Sequence, residues 1–234
     1  MLDVENIHSY YGSSYILQGI SLRAGKNEIV SLIGRNGAGK TTTLKSIMGI
    51  VRPKTGSIKF KNKEICGLKP FQIARLGLGY VPEERRIYPH FTLRENLEIA
   101  QIKLGVRERG RTYEKIYTMF PQLKAMGESR LGSNMSGGEQ QMLAIARTLM
   151  GNPEFILLDE PSEGLAPIVV TNLANAINEI KNEGVSILLS EQNMRFAQKT
   201  TTRCYVIAGG RITFEGTIDE LMGDEELVRQ HITL

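Results

Sequence analysis

Apolar residues follow two rhythms along the chain. Glu28–Ile33 (EIVSLI), Phe155–Leu158 (FILL) and Val185–Leu189 are short unbroken apolar runs bounded by turn residues, the pattern of strands buried on both faces. Leu93, Leu97 and Ala100 recur at helical spacing, as do Met142, Leu143, Ile145, Ala146 and Leu149. Further short strands are expected at Leu2–Tyr10, Ile20–Arg23, Ser57–Lys61 and Leu78–Val81. Gly209-Gly210 joins Tyr205–Ala208 to Arg211–Glu215 as a hairpin. Helices are expected over Lys40–Gly49, Pro70–Leu76, Glu114–Phe120, Gly137–Met150 and Pro167–Lys181, the last with proline in its first turn. Thr92–Glu95 and Thr217–Glu220 spell capping boxes that open further helices. The flanks alternate strand with helix as parallel-sheet units do, and an all-helical stretch interrupts them from about 84 to 150. An α/β domain with an inserted helical subdomain follows.

The length of 234 residues suits one such domain without disulfides or metal staples. Hydrophobic residues make up 41% and charged residues 23%, which excludes a disordered chain. Lys and Arg number 29 against 25 Asp and Glu, a net charge of +4. The basic residues thicken at Arg52–Lys63 and Lys103–Lys115, but Glu64, Glu108 and Glu114 lie in or beside those stretches. No basic stripe of a dedicated nucleic-acid binder emerges. Cys66 and Cys204 form no CxxC, and no window approaches the roughly 18 apolar residues of a membrane span. The opening residues lack the basic and apolar regions of a signal peptide, so a cytoplasmic location is expected.

Gly34-Arg35-Asn36-Gly37-Ala38-Gly39-Lys40-Thr41 fits G-x-x-x-x-G-K-[ST] and sits between an apolar strand and a helix. Glycines let successive N–H groups turn inward on phosphate oxygens, and the helix points its positive end at the anion. Lys40 is expected to meet the β- and γ-phosphates while packing little, and Thr41 to offer its hydroxyl to Mg²⁺. Asp159 and Glu160 end the apolar strand at 155–158. Beside a phosphate loop the first acid would hold Mg²⁺ and the second act as general base toward water, although adjacent acids at a strand end can also be merely solvated. Ser136-Gly137-Gly138-Glu139 opens a long helix. It reads either as a capping box alone or as a second phosphate clamp built from a hydroxyl, glycine N–H groups and a helix dipole.

The chain resembles the ATP-binding-cassette (ABC) ATPases through GRNGAGKTT (Gly34–Thr42), MSGGEQQ (Met135–Gln141) and ILLDEP (Ile156–Pro161). GYVPEERRIYPHFTLRENL (Gly79–Leu97), SGGEQQMLAIARTLM (Ser136–Met150), DEPSEGLAP (Asp159–Pro167) and SEQN (Ser190–Asn193) make it most similar to the ATP-binding subunits of branched-chain amino-acid transporters. The resemblance implies one P-loop ATPase domain over 1–234 with a mixed sheet core, an antiparallel β subdomain and the inserted helices. It implies two cassettes that sandwich two ATP molecules head to tail, with Mg²⁺. Gly34–Thr42 would then hold one nucleotide, and Ser136–Glu139 would touch the γ-phosphate on the partner chain. Ser162–Leu165 would pass between the two sites. Tyr11 would stack on adenine, the alternative being a surface aromatic in a turn.

Two positions depart from the wider family. Glu83 stands where Gln usually touches Mg²⁺, and Gln192 where a switch histidine usually stands, while His8, His90 and His231 lie elsewhere. Glu83 remains a hard oxygen ligand, and Gln192 can still donate to a γ-phosphate as a third catalytic group beside Glu160 and Lys40. The partners implied are a second, different cassette, transmembrane permease subunits and, indirectly, a solute-binding protein. The chain would sit on the cytoplasmic face of the cell membrane. Another solute such as urea or lipopolysaccharide, or a clamp ATPase that transports nothing, are the alternatives. Clamp ATPases usually carry two cassettes or a long coiled coil, and no sustained heptad is present.

Overall fold

The structure, a computed structural model, describes residues 1–104, 112–224, 226 and 228–229. Glu108, His231 and the middle of the basic stretch Lys103–Lys115 lie outside the described residues. In chain order the strands are β1 (Leu2–Tyr11), β2 (Ser14–Ala24), β3 (Ile29–Ile33), β4 (Thr55–Phe60), β5 (Lys63–Glu64), β6 (Leu78–Val81), β7 (Phe155–Asp159), β8 (Ser186–Glu191), β9 (Arg203–Ala208) and β10 (Arg211–Thr217). The helices are α1 (Lys40–Ile47), α2 (Pro70–Arg75), α3 (Leu93–Leu104), α4 (Tyr113–Met119), α5 (Pro121–Met126), α6 (Gly137–Met150), α7 (Pro167–Asn182), α8 (Met194–Thr200) and α9 (Ile218–Gly223).

Two sheets form. One is antiparallel with order β2-β1-β4-β5. The other has order β10-β9-β3-β8-β7-β6, and all its neighbouring strands are parallel except β10 on β9. Every residue of β3, β7 and β8 is buried, which explains their unbroken apolar runs. β10 alternates exposed and half-buried positions, as an edge strand does. β2 is longer than the expected Ile20–Arg23. Register shifts against β1 and the positive φ of 87° at Gly19 break the alternation that would have marked its first half.

Each face of the six-stranded sheet has its own core. On one, Leu143, Ile145 and Leu149 of α6 meet Leu97 of α3, Ile116 of α4, Leu123 of α5, Leu158 of β7 and Ile177 of α7. The helices between β6 and β7 therefore share a core with the sheet. On the other face, Leu44 and Ile47 of α1 lie between Val30 and Leu32 of β3 and Val4, Leu22 and Phe60 of the antiparallel sheet. The neighbouring parallel strands β3, β8, β7 and β6 end side by side, so the residues that follow them gather along one edge, where open α/β sheets bind ligands.

Candidate functional site

The loop from Gly34 to Gly39 leaves β3 and enters α1 with no side-chain cap on the helix. Gly37 and Gly39 take φ of 79° and 115°, conformations that turn backbone N–H groups inward and that side chains resist. A Cβ on Gly39 would stand 3.0 Å from Leu17 Cδ2, and one on Gly34 would stand 2.4 Å from the carbonyl oxygen of Ile207. The Gly209-Gly210 turn locks the loop to the hairpin of β1 and β2: the Gly210 N–H donates to Ala38 O at 3.0 Å, and Gln18 N–H to Gly210 O at 2.8 Å. Ile16 thereby joins Gly37, Gly39, Lys40, Thr41, Thr42 and Glu160 around a cavity of about 200 Å³. Tyr11 stands at the tip of the same hairpin and is 48% exposed. Arg35 is half-buried and Asn36 exposed at the mouth of the loop, and Ala38 is buried under it.

Lys40 does not stand free. It is 3% exposed. Its Nζ donates to Gly34 O at 2.7 Å and Arg35 O at 3.0 Å, and pairs with Glu160 Oε1 at 3.0 Å. These contacts occupy the three protons of the ammonium, so the expectation that this lysine packs little is corrected.

Asp159 ends β7, 1% exposed. Its Oδ1 accepts from the hydroxyls of Thr41 at 3.0 Å and Ser190 at 2.7 Å, and its Oδ2 from Tyr80 at 2.9 Å. Burial, then the charge of Asp159, pushes the Tyr80 phenol far up, so it stays a donor. Glu160 has φ of 44°, a left-handed conformation that costs about 1–2 kcal/mol for a side-chain-bearing residue. Its N–H is shared between the backbone oxygen and hydroxyl of Ser190, both at 3.1 Å. Tyr80 and Ser190 lie within the segments Gly79–Leu97 and Ser190–Asn193, but their bonds to Asp159 left no signal along the chain, because only the sheet order brings β6 and β8 to β7.

Glu163, which lies in Asp159–Pro167 but was assigned no role of its own, has its carboxyl pushed up to about 7 by a hydrogen bond to Glu160 and then by burial. Glu83, exposed just past β6, has its carboxyl raised by burial and by the charges of Glu160 and Asp159. The edge therefore carries more negative charge than Lys40 neutralises. Its hard oxygen donors, the Thr41 hydroxyl and the Asp159 carboxylate beside it, have the chemistry of a Mg²⁺ site.

Ser136 caps α6 reciprocally with Glu139: Ser136 N–H donates to Glu139 Oε2 at 2.6 Å, and Glu139 N–H to Ser136 Oγ at 3.4 Å. Ser136 is exposed, Gly137 half-buried and Gly138 buried. A Cβ on Gly138 would stand 2.5 Å from Val169 Cγ1 of α7, so that glycine is set by helix packing. A Cβ on Gly137 would stand 2.8 Å from Arg85 NH1, and Arg85 Nε donates to Gln141 Oε1 at 3.3 Å. The loop after β6 and the start of α6 thus touch. Gln192 is half-buried immediately after β8, one residue beyond Glu191.

The sequence matches the family described as ABC transporter over residues 17–163. It is 42% identical to the high-affinity branched-chain amino acid transport ATP-binding protein BraG of Pseudomonas aeruginosa, covering 93% of both chains. It is 35% identical to the lipopolysaccharide export system ATP-binding protein LptB of Haemophilus influenzae, covering 99% of this chain and 97% of that one. Among solved structures, the ADP conformation of an ATP-binding cassette of an ABC transporter superposes with a TM-score of 0.83 at 28% identity, over 98% of this chain and 97% of that one.

Proposed function

This chain belongs to the ABC transporter family and is an ATP-hydrolysing subunit of a membrane transporter, and from that premise we propose that it powers transport of branched-chain amino acids as one of a pair of cassettes. The observation that carries the chemical reading is the pairing of Lys40 with Glu160 beside Thr41 and Asp159 at one sheet edge. ATP phosphates take over Lys40 from Glu160, and the β- and γ-phosphates then hold the ammonium. The N–H groups of Gly34–Thr42 and the α1 N-terminus surround them. Released from Lys40, Glu160 accepts the proton of the attacking water. Gln192 donates its amide toward the γ-phosphate, and Ser136–Glu139 of each cassette closes on the nucleotide of the other. Tyr11, exposed at the hairpin tip, stacks on adenine.

Thr41, Asp159 and Glu83 would hold Mg²⁺, whose charge offsets that of the phosphates when bound. Residues 84–150 act as the helical subdomain within one cassette domain, 1–234.

No helix among the described residues is long and apolar enough to cross a membrane. We place the subunit on the cytoplasmic face through its permease subunits, a solute-binding protein being an indirect partner. Support for a seat comes from a surface groove of about 620 Å³ between α2, α3 and α6, where Ile50 and Phe71 stand among Tyr80, Tyr88 and Ala100. Phe71 is 54% exposed and Ile50 49%, apolar surface suited to a short permease helix. The likeness to LptB supports lipopolysaccharide export as the second reading. The membrane subunits that copurify with the chain distinguish the two.

Turnover in that copurified complex tests the chemistry. Glu160→Gln should keep ATP binding and slow hydrolysis by on the order of 10²-fold or more. Near-normal turnover would remove Glu160 from the mechanism.

A further inference from the structure

Glu191, the last residue of β8, has no part in the chemistry above, yet it is 2% exposed. Its Oε1 accepts the backbone N–H of Ser162 at 3.1 Å. Its Oε2 accepts the N–H groups of Gln192 at 3.2 Å and Asn193 at 3.1 Å. Its carbonyl oxygen accepts the N–H of Gly34 at 3.2 Å. One residue is therefore bonded to the first glycine of the phosphate loop, to the loop after β7 and to the turn after β8.

The side-chain type follows from these partners. Both oxygens face N–H donors, and a carboxylate accepts on both sides, whereas the amide of Gln would turn a donor against one of them. Among the described residues no Lys, Arg or His forms an ion pair with this carboxylate; backbone N–H groups and the Ser162 hydroxyl satisfy it. A buried acid that serves only to fill space would be better replaced by an apolar side chain. Here it stitches two segments together. Asn193 extends the stitch into α8, because its side chain accepts from Phe196 N–H at 3.2 Å and caps that helix. Ser162 is likewise held in place, 5% exposed at the start of its loop.

We propose that Glu191 is a positioning residue that ties the backbone at Gln192 to the loop Ser162–Leu165, so that a second cassette pressing on that loop sets the group facing this chain's own γ-phosphate. This rests on the reading that Gln192 faces the γ-phosphate and that Ser162–Leu165 lies between the two nucleotides. Ser162 cannot shift without pulling on Oε1. Oε2 then carries the displacement to Gln192 through a rigid carboxylate, and the bond from Gly34 keeps β8 in register with the phosphate loop as this happens. Each site thereby senses whether its neighbour is closed.

The test uses the transporter copurified with its permease subunits. Wild-type ATP turnover and its loss in Glu160→Gln check the underlying reading; a complex without turnover overturns both. With turnover present, Glu191→Gln should lower kcat about tenfold and leave KM for ATP within about twofold. In that background Gln192→Ala should add nothing, since the amide is already out of place. Unchanged kcat, or a loss that appears in KM with Gln192→Ala still additive, overturns the proposal and leaves Glu191 a purely structural acid. A measurement without any variant guards against misfolding. On adding a non-hydrolysable ATP analogue to the wild-type complex, the amides of Ser162, Gln192 and Asn193 should gain protection from hydrogen exchange together. Protection at Gln192 with Ser162 unchanged overturns the proposal.

Discussion

Lys40 spends its three protons on Gly34 O, Arg35 O and Glu160, the groups that phosphate would displace under the proposed reading. Lys40→Ala should therefore do two things. It should weaken ATP binding, because the β/γ-phosphate charge loses its partner, as titration calorimetry would report. It should also destabilise the nucleotide-free chain by about 3 kcal/mol, because the Glu160 side chain, 9% exposed, is left without its cation. An unchanged urea midpoint would show that the pair does not form in the free chain. The phosphate loop and the Asp159-Glu160 pair were legible because each is contiguous along the chain. Tyr80, Ser190 and Glu191 were not, because their contacts arise from the strand order β3-β8-β7-β6, which chain order does not announce. The burial of Lys40 was illegible for a related reason: its partner lies 120 residues away, beyond any local pattern.

Helix α6 carries two readings of one serine. The reciprocal bonds between Ser136 and Glu139 make a complete cap, which by itself accounts for the Ser-x-x-Glu spacing. The clamp reading needs the same hydroxyl for a phosphate. Substitution separates the two, since glycine at a cap costs only a few tenths of a kcal/mol while alanine costs about 1 kcal/mol. Ser136→Gly should keep near-native stability and still lower ATP turnover of the assembled transporter, whereas Ser136→Ala should lower both. Full turnover in Ser136→Gly would leave the serine a cap and nothing more. At this scale the helical periodicities and cap signals located α3, α6 and α7 well, since their apolar stripes face a real core. The first half of β2 escaped because a bulged hairpin strand keeps no simple alternation.

For the molecule as a whole, Glu83 follows β6 and Gln192 follows β8 along the edge proposed to receive this chain's own nucleotide, while the Ser136–Glu139 box opens α6. In the proposed pair, a composite site would take its phosphate loop from one cassette and its clamp from the other. Glu83 offers an oxygen but repels phosphate, and Gln192 cannot supply an imidazolium to developing charge. We therefore expect a heterodimer whose better hydrolytic site pairs this chain's clamp with the partner's phosphate loop, the two sites closing together so that arresting either one slows both. Ser136→Arg should then cut total ATPase activity of the transporter more than Gln192→Ala does. The reverse order, or a fully active homodimer on its own membrane subunits, would sink the idea. The α/β class and the helical interruption were legible from the alternation of apolar runs. The division into two sheets was only partly so, because antiparallel β1, β2 and β4 and parallel β3 all read locally as short strands.

The first glycine of the phosphate loop shows how one motif can record two unrelated demands. A Cβ at Gly34 would meet the carbonyl oxygen of Ile207 at 2.4 Å, so that position is kept bare by the neighbouring strand β9. In a genetic screen, loss-of-function alleles at Gly34 and at Lys40 would share a phenotype and map to the same eight letters. One would arise from a wedge driven between a loop and a sheet, the other from a missing charge, and only the second would speak of the nucleotide.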